Sequence, residues 1–121
     1  MIVVNRDDAA IINTPHGSQI RPLIDRTDSP ITKCSLAEEV LPPGCSVARH
    51  HHNQIEEIYY IVDGAGTMTV GEESKPVKAG DSIYVPPGSI HSLSNTGTEP
   101  IKLLLVCGPA FYYEDHIFEQ S

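Results

Sequence analysis

The sequence predicts an all-β fold, a sandwich or barrel of short antiparallel strands. Three observations carry this. Ten prolines and nine glycines are scattered through 121 residues, which leaves no room for long helices. Turn signals recur at Pro42-Pro43-Gly44, Asp63-Gly64, Gly71-Glu72-Glu73, Gly80-Asp81, Pro86-Pro87-Gly88 and Asn95-Thr96-Gly97. Between them lie short runs rich in Val, Ile, Tyr and Thr, residues that suit a pleated, half-buried surface.

From the N-terminus, the first thirty residues are irregular: Asn13–Gly17 reads as a loop and Gln19–Ile24 as an edge strand. The strand candidates are then Lys33–Leu41, Ser46–His52, Glu57–Val62, Thr67–Val70, Ser82–Val85, Ile90–Ser94 and Ile101–Cys107. The tail from Tyr112 to Gln120 reads as a short helix or an arm over the barrel mouth. The length suits one domain, expected over residues 1–121, with an N-terminal arm and edge strand in 1–30, a barrel core in 33–107 and a C-terminal tail in 108–121.

Composition narrows the function classes. The formal net charge of −8 repels phosphate backbones, so nucleic acid and anionic membrane are poor partners. No apolar run approaches the length of a membrane span. The N-terminus lacks the basic and continuous apolar regions of a signal peptide. Three widely spaced cysteines, Cys34, Cys45 and Cys107, fit a reduced, cytoplasmic protein better than a disulfide scaffold.

The chemistry concentrates in Gly44–Gly64, GCSVARHHHNQIEEIYYIVDG. On a strand, side chains alternate faces, so His50 and His52 share one face and His51 takes the other. A carboxylate from Glu56 or Glu57 would come from the next strand. Two imidazole nitrogens and one carboxylate oxygen aimed at one point suit a divalent first-row metal. A second constellation, GDSIYVPPGSIHSLSN, runs from Gly80 to Asn95. Its Pro86-Pro87-Gly88 turn sets the register of the strand after it and so the direction of His91. Asn95 sits in a turn signal of its own and is expected to bond local backbone.

Together the two stretches resemble the cupin superfamily. Gly44, His50, His52, Glu57 and Gly64 match every spacing of its first motif, which selects Glu57 over Glu56. Gly80, Pro86, Gly88, His91 and Asn95 match the second. The resemblance implies an antiparallel double-stranded β-helix, or jelly-roll barrel. It also implies one divalent transition metal ion per chain (Mn, Fe, Ni, Zn or Co) held by His50, His52, Glu57 and His91. Small proteins of this superfamily are usually homodimers, with Ile2–Val4 or Gln19–Ile24 suited to join the partner's sheet.

The remaining polar residues have more than one reading. Tyr59 shares the parity of Glu57 and points inward, either filling the core or offering its hydroxyl as an acid. Ser46 and Ala48 share the inner parity of His50 and leave room beside it. Glu56 is expected at the surface or beside Arg49, and Arg21 in a surface or dimer salt bridge. His16 and His116 are expected to be exposed in loops. The leading expectation is a metal-dependent enzyme of dioxygenase, decarboxylase, isomerase or lyase type, with Glu57 and Tyr59 as candidate catalytic residues. Its substrate would be a small polar or carboxylate metabolite in the barrel. The alternative is a barrel that binds a small ligand or sugar without chemistry, and a metal-free structural barrel stands third.

Overall fold

A computed structural model describes residues 1–119. Eleven strands form two sheets: β1 (Ile12–Asn13), β2 (Gln19–Ile24), β3 (Ser35–Leu41), β4 (His50–His51), β5 (Glu56–Asp63), β6 (Ala65–Val70), β7 (Glu73–Lys78), β8 (Ser82–Val85), β9 (His91–Ser94), β10 (Ile101–Gly108) and β11 (Ile117–Phe118). One sheet has the order β1-β2-β3-β10-β5-β8 and the other β11-β4-β9-β6-β7. Every pairing is antiparallel. This is the double-stranded β-helix of the cupin fold.

Strand alternation decides what enters the barrel. In β5, Glu57, Tyr59 and Ile61 are buried, whereas Ile58, Tyr60 and Val62 are exposed. Register against β10 and β3 then lays side chains in rows across the larger sheet. Ile61 faces Leu103 and Glu39; Tyr59 faces Leu105 and Ala37; Glu57 faces Cys107 and Ser35. The interior therefore grades from apolar to polar along β5. Leu41, Ile61, Met68, Val77, Leu93, Ile101 and Leu103 belong to one buried cluster at the apolar side.

Two motif glycines have clear local causes. Gly64 has φ +90°, and a Cβ there would lie 2.6 Å from the Pro100 carbonyl oxygen. Gly88 has φ +85° and donates its N–H to the His52 carbonyl at 2.6 Å. The Pro86–Gly88 turn is thereby tied to the segment that carries His52, just before His91 begins β9.

Several expected boundaries shift. The run Ser46–His52 is not one strand: β4 covers only His50–His51, and Ser46 makes an isolated bridge to Ser94. The reason lies at Ala48, whose N–H faces the His16 ring at 3.4 Å and whose carbonyl accepts from His50 at 2.7 Å. Side chains thus occupy the groups a ladder would need. β7 escapes the strand pattern because its sequence, ESKPVK, is charged and contains Pro76. It is an edge strand, where proline is tolerated. Gln19–Ile24 forms β2 as expected but is not itself the edge, since β1 pairs outside it. The tail forms a 3-10 turn at Tyr113–Asp115 and then β11, which pairs with β4. Gln120, in the expected tail, lies outside the described residues.

Candidate metal centre

His50 and the neighbouring His52 come from the β4 region, Glu57 from β5 and His91 from β9. All four are buried, at 5% exposure or less. One ligand atom from each lies within 4.8 Å of every other. Their outer nitrogens fix their chemistry. Nδ1 of His50, His52 and His91 meets the carbonyls of Ala48, Asp115 and Ser89 at 2.7, 2.8 and 3.0 Å. A carbonyl only accepts, so each Nδ1 carries the proton and a neutral ring presents its Nε2 lone pair inward.

The inward atoms lack protein partners other than one another. Among the described residues, Nε2 of His52 and of His91 and Oε1 of Glu57 are buried without a hydrogen bond. Both nitrogens sit 3.3 Å from that oxygen. Lone pairs so placed repel unless a cation lies among them, either a proton on an imidazole or a metal ion. The donor set of three imidazoles and one carboxylate fits a divalent transition metal.

The surroundings tune these groups. Burial disfavours a charged Glu57, but His52 and His91 outweigh it and hold the carboxyl well below its usual range. Burial opposes charge on His52 too, yet Glu57 raises its proton affinity. His50 is pushed down to about 3, first by burial and then by His91 and His116. The Cys107 thiol, pushed up by burial and by Glu57, donates to Glu57 Oε2 at 3.5 Å. That contact engages one carboxylate oxygen and leaves Oε1 facing the histidines. Tyr59 is 2% exposed with its ring 5.8 Å from that of His91. Burial, then the charges of Glu57 and Glu39, keep its phenol protonated.

Residues outside the motifs prove to be part of this interior. His116 is not an exposed tail residue: its ring stacks on His50 at 4.2 Å, because β11 docks against β4. Its Nε2 is buried without a partner among the described residues, and burial lowers the group to about 4. His16 is not free in its loop either. Its ring is 17% exposed and hydrogen-bonds Glu39 at 3.1 Å and Ser18 at 2.7 Å. Asp115 locks the tail down: its carboxylate accepts from the backbone N–H of Asn53, Gln54 and Ile55 at 2.9, 3.0 and 2.9 Å. Burial works against its charge, but those three donors hold its pKa down.

Other expectations resolve case by case. His51 does not join the four-residue group. Glu56 accepts from the Tyr84 hydroxyl at 3.0 Å rather than from Arg49, which pairs with Glu119. The tail, docked beside β4, supplies the competing carboxylate. Arg21 approaches Glu38 at 3.7 Å. Asn95 anchors both near and far backbone, at Glu99 and Leu41, and accepts from Gly97. Glu39 had one overlooked signal: of two adjacent glutamates on a strand, one must face inward. Asp115 and Cys107 carried no comparable signal.

A cupin-domain family model matches residues 37–107, and the chain belongs to the cupin family. An uncharacterised protein of Methanocaldococcus jannaschii is 42% identical over 102 residues, covering 84% of this chain and 82% of that protein. The oxalate-binding protein of Thermotoga maritima is 42% identical over 71 residues, and the match spans 59% of each chain. The crystal structure of a predicted oxalate decarboxylase from Thermotoga maritima superposes with TM-score 0.81 at 28% identity. It covers 89% of this chain and 99% of that one.

Proposed function

We propose that the chain is a metal-dependent cupin enzyme of dioxygenase, decarboxylase, isomerase or lyase type. It would act on a small polar or carboxylate metabolite inside the barrel. The observation that carries this reading is the inward convergence of three imidazoles with one carboxylate, each Nδ1 occupied by a backbone carbonyl. His50, His52, Glu57 and His91 would hold one divalent ion of the Mn, Fe, Ni, Zn or Co kind. Such an ion supplies Lewis acidity toward substrate oxygens and, when redox-active, access to dioxygen chemistry.

The chain's own residues divide the remaining work. Glu57, kept ionised by its histidine neighbours, serves as a ligand rather than as a proton donor. The Tyr59 hydroxyl, which stays protonated, donates a hydrogen bond or a proton to a substrate oxygen. Phe111 and His116 pack around His52 and His50 and keep water from the ligands. We place the protein in the cytoplasm, since Cys34, Cys45 and Cys107 are all free thiols. We also propose a homodimer, built on the exposed apolar side chains of Ile58, Tyr60, Val62 and Tyr84 on the outer face of the larger sheet.

The test is elemental analysis of the purified protein, then oxygen uptake and product formation over a panel of hydroxy acids, dicarboxylates and sugar acids. Turnover by the loaded protein, lost on chelation, is the expected result. A second reading is a barrel that binds its ligand without chemistry, supported by the likeness to a protein named for binding oxalate. A fully loaded protein that binds panel members at micromolar concentration and converts none would select it.

A further inference from the structure

The barrel interior holds a second carboxylate, and the metal centre does not use it. Glu39 is 2% exposed and lies on the inner face of β3, in the row of Leu103 and Ile61. No lysine or arginine bonds it among the described residues. Its Oε2 is held by two groups of the β1–β2 loop, the Ser18 hydroxyl and the His16 ring. The Ala48 N–H donates to His16 Nδ1, so the His16 Nε2–H faces Ser18 Oγ at 2.7 Å and Glu39 Oε2 at 3.1 Å. Thr14 and Ser18 bond each other and fix the loop. The arrangement is therefore an oriented acceptor.

Its other oxygen, Oε1, takes no hydrogen bond among the described residues. The same holds for the hydroxyl of Tyr59, which lies one row closer to the metal centre. Ala37 and Leu105 occupy the inner face in that intermediate row, and both keep partial exposure although they point inward. Tyr59 thus stands on the inner face between the row of Glu57 and the row of Glu39. His16 and His50 bond the same residue, Ala48.

We propose that Glu39, oriented by Ser18 and His16, is the second recognition pole of the barrel. It selects ligands that bring a hydroxyl or ammonium donor to the end remote from the metal and disfavours ligands with a carboxylate there. The inference rests on the metal-centre reading above. A donor meeting Glu39 gains a hydrogen bond to a carboxylate, whereas a second carboxylate meets an acceptor with no donor between them. The substrate class narrows accordingly, from carboxylates in general to hydroxylated or aminated acids. Dicarboxylates whose second carboxylate extends away from the metal fall outside it.

The test uses two pairs of 2-hydroxy acids with the same chelating head and different arms. Glycerate ends in a hydroxymethyl and tartronate in a carboxylate. The longer pair is 2,4-dihydroxybutanoate and malate. Binding to the metal-loaded protein is measured by calorimetry, with metal content determined in parallel. The hydroxyl member of at least one pair is expected to bind about tenfold or more tighter, the scale of one hydrogen bond to a charged group. Glu39→Gln is expected to abolish or reverse that preference at unchanged metal content, because the amide can donate to a carboxylate. No preference in either pair overturns the proposal and leaves the metal centre standing. Protein that takes up no metal overturns the metal-centre reading, whereas failure of all four acids to bind the loaded protein overturns this inference alone. The wild-type preference needs no variant, so the test holds if Glu39→Gln does not fold; Ser18→Ala, which removes one of the two groups that orient Glu39, should then weaken the preference.

Discussion

Asp115→Ala should unfasten the C-terminal segment from the barrel, and the structure sets the size of the loss. The Asp115 carboxylate accepts three backbone N–H groups, from Asn53, Gln54 and Ile55. They do not count equally. Asn53 and Gln54 are exposed, so water can replace the lost acceptor; Ile55 is buried, 1% exposed. Losing a hydrogen bond where water can enter costs about 0.5–1.5 kcal/mol, and stranding a buried N–H about 1–3 kcal/mol. The sum is about 2–6 kcal/mol, a large part of the roughly 5–15 kcal/mol that holds a domain together. At about 2.1 cal/mol/K per residue, a chain of this length should lose on the order of 8–24 °C in Tm.

The assay is calorimetric melting with amide exchange read at Asn53, Gln54 and Ile55. Exchange at Ile55 should accelerate, and His52, whose Nδ1 bonds the Asp115 carbonyl, should lose its fixed ring orientation. The pH dependence has a definite sign. Asp115 has a lowered pKa when folded, so its contribution is complete above the unfolded value of about 3.9 and fades as pH falls through the folded one. The gap between wild type and variant should therefore close in acid. A variant that melts within about 2 °C of wild type at neutral pH, with Ile55 still protected, would refute the anchoring argument.

Four further outcomes are expected. His91→Ala should lower metal affinity by more than the 10–100-fold that accompanies loss of an outer partner, read by elemental analysis; unchanged metal content and melting would point to a structural barrel. Chelated protein should lose stability to urea as pH falls from about 6.5, because His50 and His116 are depressed to about 3 and about 4 and the unfolded chain takes up protons first. His52, whose proton affinity is raised, works the other way, and one group does not offset two. Gly64→Ala should cost about 1–3 kcal/mol in backbone strain alone, and more from the 2.6 Å approach to Pro100; a melting point equal to wild type would contradict this. Tyr60→Asp on the outer sheet face should convert the proposed dimer to monomer in sedimentation while metal content stays unchanged.

The fold was legible because its signals are local. Alternation in Glu57–Val62 and the glycine and proline turns each set a face or a register within a few residues. The convergence of His50, His52, Glu57 and His91 was legible for the same reason, as each stands at a set distance from a turn. What lay hidden depends on pairings between distant segments. His116 reaches His50 only because β11 docks on β4, and His16 reaches Glu39 only because the β1–β2 loop folds over β3. Neither docking has a periodicity to read. One aspartate of the tail caps a loop about sixty residues earlier, and one residue leaves no pattern. This division bears on function. The motif residues build the candidate metal centre, whereas His116 beside His50, and His16, Ser18 and Glu39 of the proposed second pole, come from outside the motifs. Those segments can change without disturbing the barrel, so one metal centre can serve different ligands. In this chain the inward Glu39 is the feature that narrows the choice.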